Sequence, residues 1–280
     1  MSGVDWSRRP ELRHPTAILA FSGWGDAGEA STGAVEHLIA SIEGEAFARI
    51  DPDDYFDFQT RRPEVELIDG NVRSLRWPRN EFHALHHEAG DVVALLGEEP
   101  QLHWKQFGDA VASVLEAVGV ERVLLLGAFL GQVPHTVPVP VIGSSPDPGL
   151  LATHGVGTSQ YEGPTGIVGV LTQLLAERGL TAMSMWAAVP HYLSNQVYPP
   201  AVYTLVRKSL PMLGLTIDTT DLASDAAEFR LNVDAAIKSN DELTEYVKKL
   251  ESSVTAEAEE RTTDPATDLV EEIERFLRET

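Results

Sequence analysis

The stretch Thr16–Gly28, TAILAFSGWGDAG, decides the fold. Thr16–Phe21 is a short apolar run between a proline and a glycine-rich segment, which predicts a buried strand. Ala27–Ile42 carries apolar residues at steps of three and four, which predicts a helix. Asp26 and Glu29 have the spacing of a capping box at the start of that helix. A strand that turns directly into a helix is typical of α/β proteins.

The same alternation of strands and helices continues downstream. Val92–Leu96 and Val123–Leu126 are continuous apolar runs, as in parallel strands that are covered on both faces. A helical stripe between them completes a βαβ unit. A weaker strand–helix–strand pattern follows at Val139–Ile142, Ile167–Leu175 and Thr181–Val189. We therefore expect a three-layer α/β/α sandwich around a mostly parallel sheet.

A β-hairpin is predicted between these units. Glu64–Ile68 and Val72–Trp77 flank Asp69-Gly70-Asn71, which is a hairpin-turn signal. We expect the hairpin at the sheet edge or projecting from the body. Its arginines form either a solvated face or a docking surface for an acidic partner or a neighbouring subunit's acidic helices. The candidate docking residues are Arg61, Arg62, Arg73 and Arg76.

The sequence changes character after about residue 215. Apolar residues recur at helical spacing from Leu222 to Leu250, and Ser239 with Glu242 predicts a cap that divides this stretch into two helices. A polar stretch, Ser252–Asp264, and a last amphipathic segment follow. We expect an α/β core over residues 1–215 and a helical C-terminal segment over residues 216–280.

Composition excludes several classes of function. The 280 residues carry a formal net charge of −22 and no cysteine. The missing thiols exclude disulfides, thiolate metal sites and a cysteine nucleophile. An acidic chain is repelled by nucleic-acid phosphates and anionic lipids. Its apolar runs fall far short of the roughly 18 residues of a membrane span, and its N-terminus lacks a secretory signal. We expect a cytoplasmic protein with neither nucleic acid nor membrane as partner.

The segment Gly23–Gly28 fits the G-x-G-x-x-G pattern between a strand and a helix, which is the context of a dinucleotide fingerprint. Asp51 even resembles a ribose-binding acid. However, the Asp26 carboxylate would compete for the helix amides that should receive pyrophosphate. The second strand also leads into a hairpin instead of another βα unit. These points favour a structural turn capped by Asp26, with no cofactor.

A second glycine-rich segment, Gly155–Gly166 (GVGTSQYEGPTG), runs into a predicted helix. Its backbone amides and Thr165 could form a substrate pocket in which Glu162 serves as general base. Alternatively, it is a turn-rich loop in which Thr165 caps the helix.

Histidines give a weaker signal. His83 and His87 would share one face of a helix and could then bind zinc, but H-E-x-x-H is absent. We interpret these two, with His86, as exposed loop residues and expect no metal. His135 and His191 each follow a proline in a loop, and the sequence assigns neither of them to a catalytic set.

Several segments in order are similar to one known family. They are FSGWGDAGEA from Phe21, RRPEVELIDG from Arg61, LLGEEPQLHWKQF from Leu95, LLGAFLGQVPHT from Leu125, YEGPTGIVGVL from Tyr161 and WAAVPHYL from Trp186. Together they resemble the bacterial branch of the proteasome assembly chaperone 2 (PAC-two) family. The resemblance covers roughly Thr16 to Leu250. It implies a phosphorylase/hydrolase-like α/β/α core and homo-oligomers, with a trimer as the first expectation.

The resemblance also implies a partner. Eukaryotic members help to assemble the proteasome α-ring, and members that dock on a proteasome often use a C-terminal hydrophobic–Tyr–any tail. This chain has Glu279 at the penultimate position. Contact with proteasome subunits, if it occurs, would then use another surface.

The leading hypothesis is therefore a non-enzymatic, homo-oligomeric interaction protein. The alternative is a phosphorylase/hydrolase-type enzyme with a pocket at the C-terminal ends of the parallel strands. Its catalytic candidates are Asp26 and Glu162, and its ligand-binding candidates are Gly23, Trp24, Gly25, Phe129, Tyr161 and Thr165. Dinucleotide binding at the Gly23–Gly28 turn is the minority hypothesis.

Overall fold

The computed structural model describes residues 3–68 and 72–262. Its strands are β1 (Val4–Trp6), β2 (Thr16–Ser22), β3 (Glu45–Ile50), β4 (Glu64–Ile68), β5 (Val72–Arg76), β6 (Asn80–Leu85), β7 (Val92–Glu98), β8 (Arg122–Gly131), β9 (Val141–Ser144), β10 (Gly157–Thr158) and β11 (Thr181–Pro190). Its helices are α1 (Ala30–Ser41), α2 (Trp104–Ala117), α3 (Pro148–Thr153), α4 (Ile167–Glu177), α5 (Pro199–Leu213), α6 (Thr220–Lys238) and α7 (Asp241–Thr262).

One large mixed sheet forms the middle layer, in the order β1-β3-β6-β7-β2-β8-β11-β9-β10. Its centre, β7-β2-β8-β11, is parallel, and the flanking strands β1, β3 and β6 are antiparallel to their neighbours. The central strands are mostly buried, as expected for parallel strands with helices on both faces. The predicted α/β sandwich with its phosphorylase/hydrolase-like layering is confirmed.

Strand β2 contributes side chains to both hydrophobic layers. Ile18 and Ala20 point into the layer formed with α1 and α5, whereas Leu19 and Phe21 point into the layer formed with α2 and α4. Successive side chains on a strand face opposite sides. A strand with apolar residues at successive positions, such as Ala17–Phe21, therefore belongs at the centre of a three-layer protein.

The second strand–helix–strand unit differs from the prediction. Strand β9 spans Val141–Ser144, not Val139–Ile142, and it is antiparallel to β11. The first strand of this unit is β8 instead of β9, because β8 is the parallel neighbour of β11 and α4 lies between them in the chain. Pro138 and Pro140 lack the backbone N–H that a ladder needs, so β9 begins after them.

The sequence prediction missed five elements, which are β1, β6, β10, α3 and α5. Helix α5 carries Pro199 and Pro200 in its first turn, where a missing N–H costs nothing, and Pro211 near its end. Strand β6 contains His83, so the prediction of a loop histidine is wrong at that position. Asn80, Phe82 and Ala84 of β6 are buried at alternate positions.

The predicted hairpin is confirmed as β4 and β5, which form a two-stranded sheet of their own. Its turn, Asp69-Gly70-Asn71, lies outside the described residues. At the hairpin base, the Trp77 ring packs edge-on against Phe58, with ring centroids 4.8 Å apart. Phe58 packs against the core layer that contains α2 and α4, which places the hairpin base on that side of the sheet.

Two helices follow the core, as predicted, but the predicted cap residue Ser239 instead donates its hydroxyl to the Ala236 carbonyl at 2.6 Å. Asn240 caps the second: its side-chain oxygen accepts hydrogen bonds from Glu242 N (3.0 Å) and Leu243 N (3.2 Å). Val233, Ile237 and Val247 join the buried cluster of α1 and α5. Helix α7 continues through part of the predicted polar stretch to Thr262, and the last amphipathic segment lies outside the described residues. The division into residues 1–215 and 216–280 stays a prediction. Within residues 3–68 and 72–262, no helix is long and apolar enough to cross a bilayer.

Candidate functional site

The Asp26 carboxylate closes the glycine-rich turn after β2. It is only 8% exposed. One oxygen accepts hydrogen bonds from Ser31 N (2.8 Å) and Thr32 N (3.2 Å), and both hydroxyls of Ser31 and Thr32 donate to the same carboxylate. These amides belong to the first turn of α1. The Asp26 carboxylate therefore occupies the N-terminal amides of α1 that an anionic ligand would need.

The cap differs in detail from the predicted capping box. A 3-10 turn, Ala27–Glu29, separates Asp26 from α1, so the helix begins at Ala30 rather than at Ala27. Glu29 adopts a left-handed backbone (φ 50°) and makes no side-chain cap. The capping carboxylate thus accepts hydrogen bonds from backbone amides five and six positions later in the chain, instead of three.

The backbone conformation explains why the first and last residues of the motif are glycines. Gly23 and Gly28 have φ of 132° and 63°, which side-chain-bearing residues rarely adopt. A Cβ on Gly28 would lie 2.8 Å from the Tyr198 Cβ, and the Gly28 carbonyl accepts a hydrogen bond from Tyr198 N at 2.9 Å. The fully buried Tyr198 thus holds this glycine.

The middle glycine makes room for a tryptophan. A Cβ on Gly25 would lie 3.3 Å from the Trp186 ring, and a Cβ on Gly127 of β8 would lie 2.4 Å from the same ring. The Gly25 carbonyl also accepts a hydrogen bond from Ala128 N at 2.8 Å, which fixes the turn to β8. All three motif glycines therefore serve contacts within the chain.

Glu99 joins the two glycine-rich segments of the sequence. Its Oε2 accepts a hydrogen bond from Trp24 N at 3.2 Å, and its Oε1 accepts one from Ile167 N at 2.8 Å. Ile167 begins α4, and Gly166 is its N-cap without a side-chain cap of its own. The prediction that Thr165 caps this helix is wrong, because Glu99 supplies the acceptor from another loop.

A cleft of about 610 Å³ opens beside Glu99, at the C-terminal ends of β2 and β7. Its lining includes Ser22, Gly23, Arg61, Glu98 and Glu99. Arg61 Nε donates to Glu98 at 2.6 Å, and hydrogen bonds to Glu98 and Glu64 raise the pKa of Arg61. Two carboxylates thus face one guanidinium, a balance that disfavours an anionic ligand.

The catalytic candidates do not meet in this cleft. Neither Asp26 nor Glu162 lines it. The Asp26 carboxylate turns into α1, while Glu162 and Thr165 are exposed on the loop before α4. Phe129 is half-buried in β8. The assignment of Asp26 as base stays a prediction, and its four hydrogen bonds argue against it because a general base needs a free lone pair.

Two predicted aromatic residues remain exposed above this region. Trp24 and Tyr161 are 66% and 64% exposed. The Trp24 ring lies against Gly166, where a Cβ would be 3.2 Å from the ring, and the Tyr161 hydroxyl donates to the Pro164 carbonyl at 3.0 Å. Backbone contacts thus hold both rings while their faces stay open to solvent.

Sequence reasoning missed a partly buried polar network that is centred on His135. His135, 2% exposed, lies between Tyr192 and Asp234. The Tyr192 hydroxyl is 2.7 Å from His135 Nδ1 and accepts from His135 N at 2.9 Å, while His135 Nε2 is 3.0 Å from Asp234. The tautomer that satisfies every group protonates Nε2 and leaves Nδ1 to accept the phenol proton.

A parallel pair ties α7 to the same place. The Tyr246 hydroxyl lies 2.8 Å from His191 Nε2, and His191 Nδ1 lies 3.1 Å from the Gly131 carbonyl. Burial raises the pKa of Tyr192 to about 12, so its phenol stays protonated and is a poor nucleophile at neutral pH. The network holds helices in place. The repeated Pro-His of VPHT and VPHY was the only signal of it in the sequence.

No metal site is present within residues 3–68 and 72–262. His83 faces partly into the protein, and burial lowers its pKa. It stands on a strand, so it does not share a helical face with His87.

The fold and site define a three-layer α/β/α protein whose own carboxylates close the helix N-termini at the strand ends. A model of the PAC2 family matches residues 20–237, and the chain belongs to that family. The resemblance of its sequence segments is thereby confirmed. A search of curated proteins found no match.

Solved structures agree. A PAC2 family protein from Streptomyces avermitilis is 39% identical, with a TM-score of 0.76 over 83% of this chain and 99% of that one. A proteasome-assembly chaperone homologue from Mycobacterium tuberculosis is 36% identical, with a TM-score of 0.77 over 83% and 99%. An archaeal proteasome activator from Pyrococcus furiosus, 20% identical with a TM-score of 0.65 over 84% and 99%, shares the fold.

Proposed function

We propose that this chain is a non-enzymatic interaction protein of the proteasome-assembly-chaperone type, which acts in the cytoplasm as a homo-oligomer. A trimer is the first expectation. Membership of the PAC2 family and likeness to a proteasome-assembly chaperone homologue support the chaperone role. Val233 and Ile237 of α6 and Val247 of α7 pack on the face of the core that α1 and α5 cover. The proposed partners are further copies of the chain and proteasome subunits.

One observation carries this proposal: two exposed aromatic rings stand above sealed helix ends. Asp26 and Glu99 already occupy the amides that would bind a phosphate or an oxyanion. Trp24 and Tyr161 remain open to solvent on backbone that is fixed from below. Rigid, exposed tryptophan and tyrosine are the residues that most often dominate protein–protein interfaces.

The test is co-purification with host proteasome α subunits. The tagged wild type should retain them, and the variant W24A/Y161A should lose most of that signal. Leu243→Ala, which changes an exposed apolar residue on α7 (42% exposed), is the matched control and should bind normally. A wild type that retains no proteasome subunit, or a double variant that binds as well as the control, would refute the proposal.

The nucleotide hypothesis makes the opposite prediction in a thermal-shift assay. We expect NAD and ATP to leave the melting temperature unchanged, because a ligand stabilises a protein only through binding to its folded state. A clear increase at millimolar nucleotide would restore the dinucleotide alternative at Gly23–Gly28.

A further inference from the structure

The hairpin β4–β5 has two chemically different faces. Residues directly opposite each other on paired strands point to the same side. Val65 pairs with Leu75 and Leu67 pairs with Arg73, so these four share one face. The three apolar members are exposed: Val65 to 58%, Leu67 to 62% and Leu75 to 55%. We call these four residues the apolar hairpin face.

The opposite face of the hairpin carries charged side chains that pair within the chain, beside the exposed Ile68. Glu64 pairs with Arg76 across the strands, and Arg76 also contacts Glu66 at 2.9 Å. Arg61 bridges Glu64 and Glu98. Two of the four predicted docking arginines, Arg61 and Arg76, are therefore already neutralised.

The remaining two arginines are different. Arg62 and Arg73 are exposed and form no ion pair within residues 3–68 and 72–262. Arg73 lies on the apolar hairpin face itself. This face therefore combines three exposed aliphatic side chains with one unpaired cation, and it fits an apolar residue that has a carboxylate beside it.

The outer face of α6 has that composition. Leu231 is 68% exposed, and Glu228 lies three residues before it on the same side of the helix, with Asp225 one further turn back and displaced toward the flank. Neither carboxylate forms an ion pair within the part of the chain that the structure describes. The inner face of α6 buries Val233 and Ile237, so Leu231 points away from the core.

These two surfaces cannot meet within one molecule. The hairpin base packs through Phe58 on the α2 and α4 side of the sheet, whereas α6 packs on the α1 and α5 side. Contact between them must therefore join two copies. Two different patches that meet in this way form a heterologous interface, which closes into a ring when the rotation between copies allows it.

We propose that the apolar hairpin face of one copy docks on the Leu231 face of α6 in a second copy. Leu231 inserts between Val65, Leu67 and Leu75, and Arg73 pairs with Glu228. The proposal rests on the self-association in the proposed function and names the surface responsible. It also explains why one hydrophobic hairpin face is exposed on an otherwise acidic chain.

A charge swap tests it, with mass in solution measured by sedimentation as a function of concentration. Arg73→Glu and Glu228→Arg should each raise the dissociation constant of the oligomer at least about tenfold. The combined variant R73E/E228R should recover most of the loss, because the pair is restored with reversed signs. Lys105→Glu, an exposed residue on α2, alters the net charge as Arg73→Glu does and should have little effect. Thermal unfolding checks that each variant is folded.

The outcomes separate the two proposals. An oligomeric wild type that Arg73→Glu leaves intact overturns this interface and leaves self-association standing. Loss without recovery in the combined variant overturns α6 as the receiving surface. A wild type that is monomeric at every concentration overturns both self-association and this interface, and co-purification with proteasome subunits then tests the chaperone role separately.

Discussion

Removing the Asp26 carboxylate gives the sharpest test of the closed turn. In Asp26→Ala, Ser31 N and Thr32 N lose their acceptor at a site that is 8% exposed. The hydroxyls of Ser31 and Thr32 can rotate to backbone carbonyls one turn earlier, but the two amides have no substitute.

The size of the effect follows from those two amides. A buried donor left without a partner costs about 1–3 kcal/mol. Two such donors give a loss of ~3–4 kcal/mol in the free energy of unfolding, a large part of the roughly 5–15 kcal/mol of a typical domain. For a chain of this size, the melting temperature should fall by about 6–15 °C.

Urea unfolding followed by tryptophan fluorescence measures this loss. Asp26→Asn keeps one acceptor oxygen for the amides and should cost only about 1 kcal/mol. Asp5→Ala removes an exposed carboxylate that pairs with Arg49 and should change stability by less than about 0.5 kcal/mol. If Asp26→Ala lowers the free energy of unfolding by less than about 1 kcal/mol, and the slope of that free energy against urea concentration is unchanged, the carboxylate does not close the turn.

Three further variants test separate contacts. Glu99→Ala should cost about 1–2 kcal/mol, since it removes the cap of α4; an unfolding midpoint equal to wild type would contradict the bridge to Ile167. Gly127→Ala should cost about 1–3 kcal/mol because its Cβ meets the Trp186 ring, and normal stability would show that the ring can shift. Burial acts to raise the pKa of Asp91, but hydrogen bonds from Arg13 and His87 outweigh it and lower that pKa below its ordinary value. Its stabilisation is complete above the unfolded value and is lost as pH falls through the folded pKa. Asp91→Asn should therefore flatten the acid limb of a stability–pH curve below about pH 4, and an unchanged limb would contradict this.

Local periodicity was enough to predict much of the architecture. β2, α1, α2, β7 and β8 each carry their own signal, either a continuous apolar run or a repeat near 3.6 residues. The hairpin was visible for the same reason. Helix α5 was missed because its three prolines suppress a helical interpretation, although two of them stand where a helix tolerates proline.

The site was harder because its contacts are distant in sequence. Glu99 caps a helix that begins 68 residues later, and His135 meets Asp234 across 99 residues. No local pattern records such a pairing, since each residue alone resembles an ordinary loop position. Asp26 was predicted as a cap from its spacing to Glu29 at the start of a helical stripe, and its actual partners, Ser31 and Thr32, also lie within six residues of it.

The position of β2 has a consequence for how the protein folds during its synthesis. This strand pairs with β7 on one side and with β8 on the other. A nascent chain leaves the ribosome at about 5–20 residues per second. Strand β7 is complete 76 residues after the end of β2, and β8 is complete 109 residues after it. Both edges of this apolar strand therefore stay unpaired for roughly 4–15 seconds, and the edge that meets β8 stays unpaired for roughly 5–20 seconds. A protein proposed to help others assemble therefore passes, during its own synthesis, through an interval in which it is itself prone to aggregate.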